Sequence, residues 1–179
     1  GGGKIHITGT GTGTYGISLQ NQDLLATSGD ILVYGGTGGV LVRDKGARYG
    51  KRTGSSVTNS SADLTIKGDV LAFDSLTSTF THEAITTGEV VIEPNSPTFS
   101  STFNYQNLDL DSSVTSLRLG KSTNTEAVFM TSPVSINGDV SIYGGDVDVA
   151  VNVATNGGNA LFEASQSLRF GSNDNSVRI

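Results

Sequence analysis

Gly138-Asp139-Val140-Ser141-Ile142-Tyr143-Gly144-Gly145 is the stretch that decides the fold, because a close copy of it stands earlier in the same 179 residues. The earlier copy, residues 29–36, keeps the glycines, the acid, the tyrosine and a β-branched residue at two alternate positions. Alternate side chains of a strand point to the same face, so Val140 and Ile142 are predicted to point together into a core. The glycines on either side bound a strand of four or five residues.

The opening of this stretch, Gly then an acid then Val or Ile, recurs at residues 68–70, 88–90 and 145–147. A second repeat pairs Ser-Leu-Arg-Leu-Gly at residues 116–120 with Ser-Leu-Arg-Phe-Gly at residues 167–171. A unit of roughly 20 to 25 residues, sometimes enlarged by a loop, generates these offsets, and it is the size of one coil of a β-helix. We therefore predict about eight or nine stacked coils, each with three short strands.

The repeat offsets also predict which residues stack. Gly88 and Gly138 are 50 residues apart, and Ser116 and Ser167 are 51 apart. If each offset spans two coils, each pair lies on one wall of the helix, with Leu117 and Leu168 facing the core.

The composition indicates an all-β chain and excludes several classes of protein. Gly accounts for 24 residues, aromatic residues for 7%, and there is no Trp. The absence of Cys excludes a disulfide framework and a thiolate metal site. A net charge of -6 argues against a nucleic-acid surface, which needs a basic face. No apolar run approaches 18 residues, so no membrane span is expected.

Residues 1–179 are interpreted as a single β-solenoid segment. The sequence opens on Gly1 rather than Met and stops within a strand-like run at residues 176–179. We expect it to be a fragment of a longer chain.

Three stretches resemble repeats of filamentous-haemagglutinin-like giant bacterial surface adhesins: residues 117–125, residues 134–145, and the Gly-Thr run at residues 9–16. The resemblance implies a right-handed parallel β-helix (β-solenoid). It also implies export across a Gram-negative envelope and display outside the outer membrane as a secreted or surface fibre. The N-terminal secretion domain of such proteins is not among these residues.

The expected function is that of a structural stalk or fibre segment of an adhesin, which mediates attachment or aggregation. We assign no catalytic residue and no cofactor. The expected partners are host, neighbouring-cell or glycan surfaces, with possible end-to-end self-association. Two alternatives stay open: a self-assembling extracellular filament subunit, favoured by an uncapped end coil, and a carbohydrate-active β-helix enzyme, favoured by an acid-base cluster in a groove.

A basic cluster is the candidate contact site. Residues 43–52 hold five of the eleven Lys and Arg residues of an otherwise acidic chain. We predict a protruding basic loop, either solvated or in contact with an acidic surface such as a glycan, lipopolysaccharide or a neighbouring acidic solenoid. The candidate contact residues are Arg43, Lys45, Arg48, Lys51 and Arg52.

Other motifs are weaker. Residues 11–16 fit the dinucleotide pattern G-x-G-x-x-G, but the sequence leaves little room for the helix that must follow, so we interpret them as a turn. Asp109 with Asp111, and Asp146 with Asp148, alternate on single strands and form acidic faces, with bound calcium as the alternative. His6 and His82 each lack a second histidine at metal-binding spacing.

Overall fold

The chain folds into β-strands throughout the part that the computed structural model describes, which is residues 3–11, 13–20, 22–43, 47–74 and 82–171. Within these ranges there are nineteen strands and one 3-10 turn, Gly36–Gly38, and no α-helix. The all-β prediction is confirmed. No helix in these ranges is long and apolar enough to cross a membrane.

The strands follow one another in short steps along the chain. The first ten are β1 Ile5–Thr8, β2 Ile17–Gln20, β3 Asp23–Leu25, β4 Ile31–Tyr34, β5 Val40–Arg43, β6 Arg48–Thr53, β7 Ser56–Thr58, β8 Leu64–Lys67, β9 Leu71–Asp74 and β10 His82–Ala84. The other nine are β11 Glu89–Glu93, β12 Phe103–Tyr105, β13 Leu108–Leu110, β14 Ser116–Leu119, β15 Val128–Met130, β16 Val134–Ser135, β17 Asp139–Val149, β18 Val153–Ala154 and β19 Ala160–Phe170.

The first wall of the structure consists of β1, β4, β8, β11, β14 and the opening halves of β17 and β19. Every neighbouring pair in this wall is parallel. One column of paired residues crosses the whole wall: Ile5, Ile31, Leu64, Val90, Leu117, Val140 and Ala160. The chain therefore crosses this wall seven times within the described residues, and we call each crossing, together with the residues up to the next one, a circuit.

The circuits are longer and less regular than predicted. Successive members of that column are 26, 33, 26, 27, 23 and 20 residues apart. The longest circuit contains β6 and β7, an antiparallel hairpin inserted into an otherwise parallel path. The prediction of eight or nine coils is thus wrong, because loops and this hairpin lengthen the early circuits.

Two further walls complete each circuit. The second wall contains β2, β5 and β9, and then β12, β15 and the closing halves of β17 and β19. The third wall contains β3, β6, β10 and β13, followed by the short pair β16 and β18. Because β17 and β19 continue through a corner, where their pairing shifts register between Gly144 and Asp146, they join the first wall to the second.

The core lies between the walls and is made of apolar columns. Val140 and Ile142 are fully buried, as predicted, and so are their paired neighbours Leu117 and Leu119. Each circuit covers the apolar face of the next one, so the core continues along the stack.

The two stacking predictions have opposite outcomes. Residues Glu89, Ser116 and Asp139 pair in succession, which places Gly88 and Gly138 at the same corner two circuits apart, as predicted. Ser167, however, pairs with Asp146 and not with the column of Ser116. That prediction is wrong because the Ser-Leu-Arg motif recurs on a different wall. Leu168 is also 44% exposed, whereas Leu117 is buried.

The repeated Gly-acid signature has a physical cause at this corner. A Cβ atom added at Gly138 would lie 1.8 Å from the carbonyl oxygen of Thr115 in the preceding circuit, so only glycine permits this approach. The acid that follows reaches the next circuit, since the carboxylate of Asp139 accepts the backbone N–H of Asn159 at 2.7 Å. Asp63 accepts the N–H of Glu89 in the same way at 2.8 Å.

A charge at an inward position should disrupt this stack. Val140→Asp places an unpaired carboxylate in a fully buried column, and we expect it to lower the free energy of unfolding by about 3–5 kcal/mol. Ser141→Asp is the matched control, because Ser141 lies one residue along on the outward face and pairs with Arg118. Urea denaturation measures both; equal stability of the two variants would contradict the assignment of the core.

Candidate functional site

The hairpin of β6 and β7 shapes a concavity of the third wall. Lys51, Arg52 and Thr53 pair antiparallel with Thr58, Val57 and Ser56. The returning strand passes over Gly50, where an added Cβ would lie 2.8 Å from Cγ1 of Val57. Glycine at position 50 therefore lets β7 lie against the wall, and β7 forms one side of a groove.

The groove has a volume of about 520 Å³ and a mixed lining. Half-buried Ile85 and Leu110 supply its apolar lining, and three carboxylates supply its charge. Its lining residues are Val57, Thr58, Asn59, Glu83, Ile85, Asp109, Leu110 and Asp111. The groove is thus acidic, with hydrogen-bonding groups next to apolar surface.

A column of outward-facing charged residues runs along this wall. Asp23 pairs with Arg48, Arg48 with Glu83, and Glu83 with Asp109. Arg48 donates to both carboxylate oxygens of Asp23, from Nε at 3.0 Å and from Nη2 at 2.7 Å. This bond is the main cause that raises the pKa of the Arg48 guanidinium. Glu83 has Arg48 on one side, but on the other it has the like charge of Asp109.

Asp111 is held at the end of the groove by hydrogen bonds. Its Oδ1 accepts the side-chain hydroxyl and the backbone N–H of Ser113, and also the amide of Asn59 at 3.4 Å. The bond from the Ser113 hydroxyl is the main cause that lowers the pKa of Asp111, although partial burial opposes it. Asn59 also donates to Ser113 Oγ at 2.9 Å, so it ties the residues after β7 to the fourth circuit.

The chemistry open to this groove is limited by its charge. Its carboxylates and the Asn59 side chain can bind sugar hydroxyls or cationic groups by hydrogen bonds. Within the described ranges, no group of three or more histidine and acidic side chains has an arrangement that could hold a metal ion. Asp109 lies at an outward position of β13 and Asp111 directly follows that strand, whereas Asp146 and Asp148 both lie at outward positions of β17.

In the part of residues 43–52 that the structure describes, the predicted basic loop is mostly strand. Arg43 is exposed and ends β5, Lys45 lies outside the described residues, and Arg48, Lys51 and Arg52 all belong to β6. The Tyr49 side chain is 1% exposed and packs in the core. Burial of Tyr49 brings the backbone of residues 48–50 alongside β3, with which it pairs in parallel.

Arg43, Arg48 and Lys51, the basic residues of this stretch whose side chains the structure describes, lie in different surroundings. Arg48 pairs with Asp23, Arg43 lies beside Asp74 in the second wall, and Lys51 is half-buried on the hairpin. The residues that the sequence analysis missed are Glu83 and Asn59. Asp109 and Asp111 had been noted for their alternation, but no local signal pairs Glu83 with Asp109 across 26 residues.

The remaining motifs have structural roles. Residues 13–16 lead directly into β2, where a dinucleotide site would need a helix. His6 is exposed on β1, and its Nε2 lies 3.1 Å from Oγ1 of Thr8. His82 is fully buried: its Nδ1 accepts the N–H of Ala47 at 2.9 Å, so its Nε2 carries the proton toward the carbonyl oxygen of Asp74 at 3.3 Å.

Comparison with known proteins gives no relative. No protein-family model, no curated protein and no solved structure matches this chain.

The like-charge pair in the groove should be removable with a gain in stability. Asp109→Asn relieves the repulsion with Glu83, and we expect a gain of about 0.5 kcal/mol in the free energy of unfolding at low salt. Asp23→Asn is the control of opposite sign, because Asp23 forms an ion pair with Arg48 at 2.7 Å. Both effects should shrink in about 1 M salt, where charges are screened within about 3 Å. A loss of stability in Asp109→Asn would contradict the charge column.

The buried histidine should make stability depend on pH. Burial lowers the pKa of His82 below its usual value, so the neutral ring is the folded form. The neutral ring therefore contributes fully to the free energy of unfolding above pH 6.5, which is about the pKa of histidine in the unfolded chain. This contribution is lost as the pH falls from that value through the lower pKa of His82 in the folded protein. The loss is at most about 1.4 kcal/mol per pH unit. Urea midpoints at pH 7.5 and about 5.5 measure this; His82→Gln should flatten the change and exposed His6→Gln should keep it.

Proposed function

We propose that this chain forms a right-handed parallel β-helix that serves as a stalk or fibre segment of a bacterial surface adhesin. The observation that carries the proposal is the in-register column from Ile5 to Ala160, which passes through seven circuits. Parallel strands stack about 4.8 Å apart, so six steps extend this stack by about 29 Å. Length obtained by repetition is what a stalk requires.

The repeated ladder gives such a stalk its stiffness. Backbone hydrogen bonds between circuits point along the stack, so a pull along the axis loads many of them at once. Side chains add ties between circuits on the first wall, where Glu93 binds Lys67 at 3.1 Å and Arg118 at 2.7 Å. Burial by itself opposes the charge of Glu93, but hydrogen bonds from Arg118 and Lys67 lower its pKa overall.

The outer surface supplies the means of attachment in this proposal. The partners are host, neighbouring-cell or glycan surfaces, and the setting is the exterior of a Gram-negative outer membrane, as the adhesin resemblance implies. Exposed Arg43 and half-buried Lys51 are the described basic side chains of the predicted contact stretch that have no ion pair with a described residue. Many weak contacts per fibre give strong attachment through multivalency.

A carbohydrate-active enzyme is the second candidate, and the acidic groove is the observation that favours it. Glu83 and Asp109 face the groove from adjacent circuits, and a ladder step of about 4.8 Å is close to the carboxyl separation of about 5 Å used by retaining glycosidases. This function requires both carboxylates, so Glu83→Gln and Asp109→Asn should each abolish release of reducing ends from a cleaved glycan.

The stalk proposal is tested by attachment. We expect beads coated with the chain to bind a sulfated-glycan surface, and the double variant Arg43→Glu, Lys51→Glu to reduce bead retention about tenfold, because charge reversal repels the surface. Lys4→Glu is the control, since Lys4 is exposed but paired with Asp30 at the other end of the chain. Bead retention that the double variant leaves unchanged, or glycan cleavage that needs Glu83, would overturn the stalk proposal.

A further inference from the structure

A strand edge in the middle of the chain has no partner. Among the described strands, β7 pairs with β6 alone, and its neighbours along the chain, β6 and β8, are both described, so this edge does not depend on where the sequence ends. Val57 and Thr58 of β7 line the acidic groove, whereas no described residue of β6 does. The edge of β7 that turns away from β6 therefore borders the groove. Its unpaired N–H and C=O groups are a template for another strand.

The groove beside this edge has room for a short extended segment. Its volume of about 520 Å³ lies within the range of about 300–1,000 Å³ found for small-ligand pockets. Half-buried Ile85 and Leu110, from two adjacent circuits, give the floor an apolar surface. A strand laid on this floor would bury that surface and pair with β7 at the same time.

The charge of the groove favours a cationic occupant. Its carboxylates are those of Glu83, Asp109 and Asp111. Neither Asp109 nor Asp111 forms an ion pair with a described residue. Glu83 lies beside Arg48 in the ladder, but the Arg48 guanidinium donates two hydrogen bonds to Asp23. An occupant that brings positive charge relieves the like-charge contact of Glu83 and Asp109, whereas a sulfated or phosphorylated one is repelled.

Arg48 shows how a guanidinium fits this column of charges. Its Nε and Nη2 lie 3.0 and 2.7 Å from the two carboxylate oxygens of Asp23, one ladder step away. Glu83 and Asp109 are the next two residues of the column and are also one ladder step apart. A guanidinium carries five N–H donors in one plane and can reach both carboxylates at that spacing of about 4.8 Å. Its aliphatic stem can cover Ile85, and a lysine ammonium offers no such fork.

We propose that this groove binds an extended, arginine-containing segment of a partner protein. The segment pairs with the free edge of β7, and its guanidinium lies between Glu83 and Asp109. In this mode of recognition the main-chain hydrogen bonds give affinity and the side-chain contacts give specificity. The inference is independent of the stalk proposal, in which attachment uses Arg43 and Lys51, and neither of these lines the groove.

A fluorescent peptide with blocked ends and the sequence Thr-Val-Arg-Val-Thr tests the charge requirement by anisotropy. We expect saturable binding to the 179-residue chain, and about tenfold lower affinity when Gln replaces the arginine, because hydrogen bonds to charged groups contribute more than neutral ones. Asp109→Asn should lower the affinity by a similar factor. Because Asp109→Asn is expected to stabilise the fold, its weaker binding would not come from unfolding. Asp146→Asn is the matched control, since Asp146 is an outward acid of β17 that does not line the groove.

Two N-methylated versions of the same peptide test the strand pairing. The N–H groups of an extended strand point alternately to its two edges, so methylation of alternate nitrogens removes the donors of one edge only. We expect one version to bind about tenfold more weakly than the other, because only one edge of the peptide faces β7. Equal affinity of the two versions would overturn the pairing with β7.

The whole proposal is overturned by a lack of saturable binding, by equal affinity of the arginine and glutamine peptides, or by binding that Asp109→Asn leaves unchanged. It is also overturned if a different occupant fills the groove. A dimer in sedimentation equilibrium that Asp109→Asn dissociates would identify a second copy of this chain as the occupant. Release of reducing ends that requires Glu83 would identify a glycan.

Discussion

The in-register parallel ladder is the constraint on which the rest of this structure depends. Because strands of neighbouring circuits pair residue for residue, each side chain lies directly above its counterpart, about 4.8 Å away. A column that points inward must therefore be apolar along its whole length, as the column through Leu64, Val90, Leu117 and Val140 is. The corners obey the same rule. Glycine recurs at Gly88 and Gly138 because the backbone of the preceding circuit leaves no space for a Cβ.

The same constraint organises charge on the outside. Opposite charges that meet in neighbouring circuits tie the stack together, as Arg48 does with Asp23 and as Glu93 does with Lys67 and Arg118. The ladder also holds like charges side by side, because the hydrogen-bonded backbones of neighbouring strands cannot move apart. Glu83 and Asp109 are such a pair. The acidic groove is therefore a product of stacking combined with one irregularity, the hairpin of β6 and β7 that forms its side.

A stack of this kind buries the apolar face of each circuit with the next, so its end is its weakest point. Within the described residues, β1 pairs only with β4 and β19 only with β17, whereas the strands between them on the first wall have a partner on both sides. Growth by adding circuits and association through an end strand satisfy the same groups. For this reason a structural rod and a self-associating subunit are neighbouring functions on one fold, whereas an enzyme would depend on the groove alone.

The sequence by itself determined the all-β class, the inward direction of Val140 and Ile142, and the two-circuit offset between Gly88 and Gly138, because each follows from alternation or from a glycine corner repeated locally. The sequence did not determine the length of the circuits, since the alternation of residues within a strand is the same whatever the length of the loops between strands. The sequence also predicted the wrong wall for Ser167, because the same short motif can occur on any wall. Only the tertiary structure decided that residues 48–53 form a strand, that Glu83 pairs with Asp109, and that the hairpin of β6 and β7 forms one side of the groove. Each of these depends on which strands become neighbours, and that is fixed by register between circuits rather than by the residues within one.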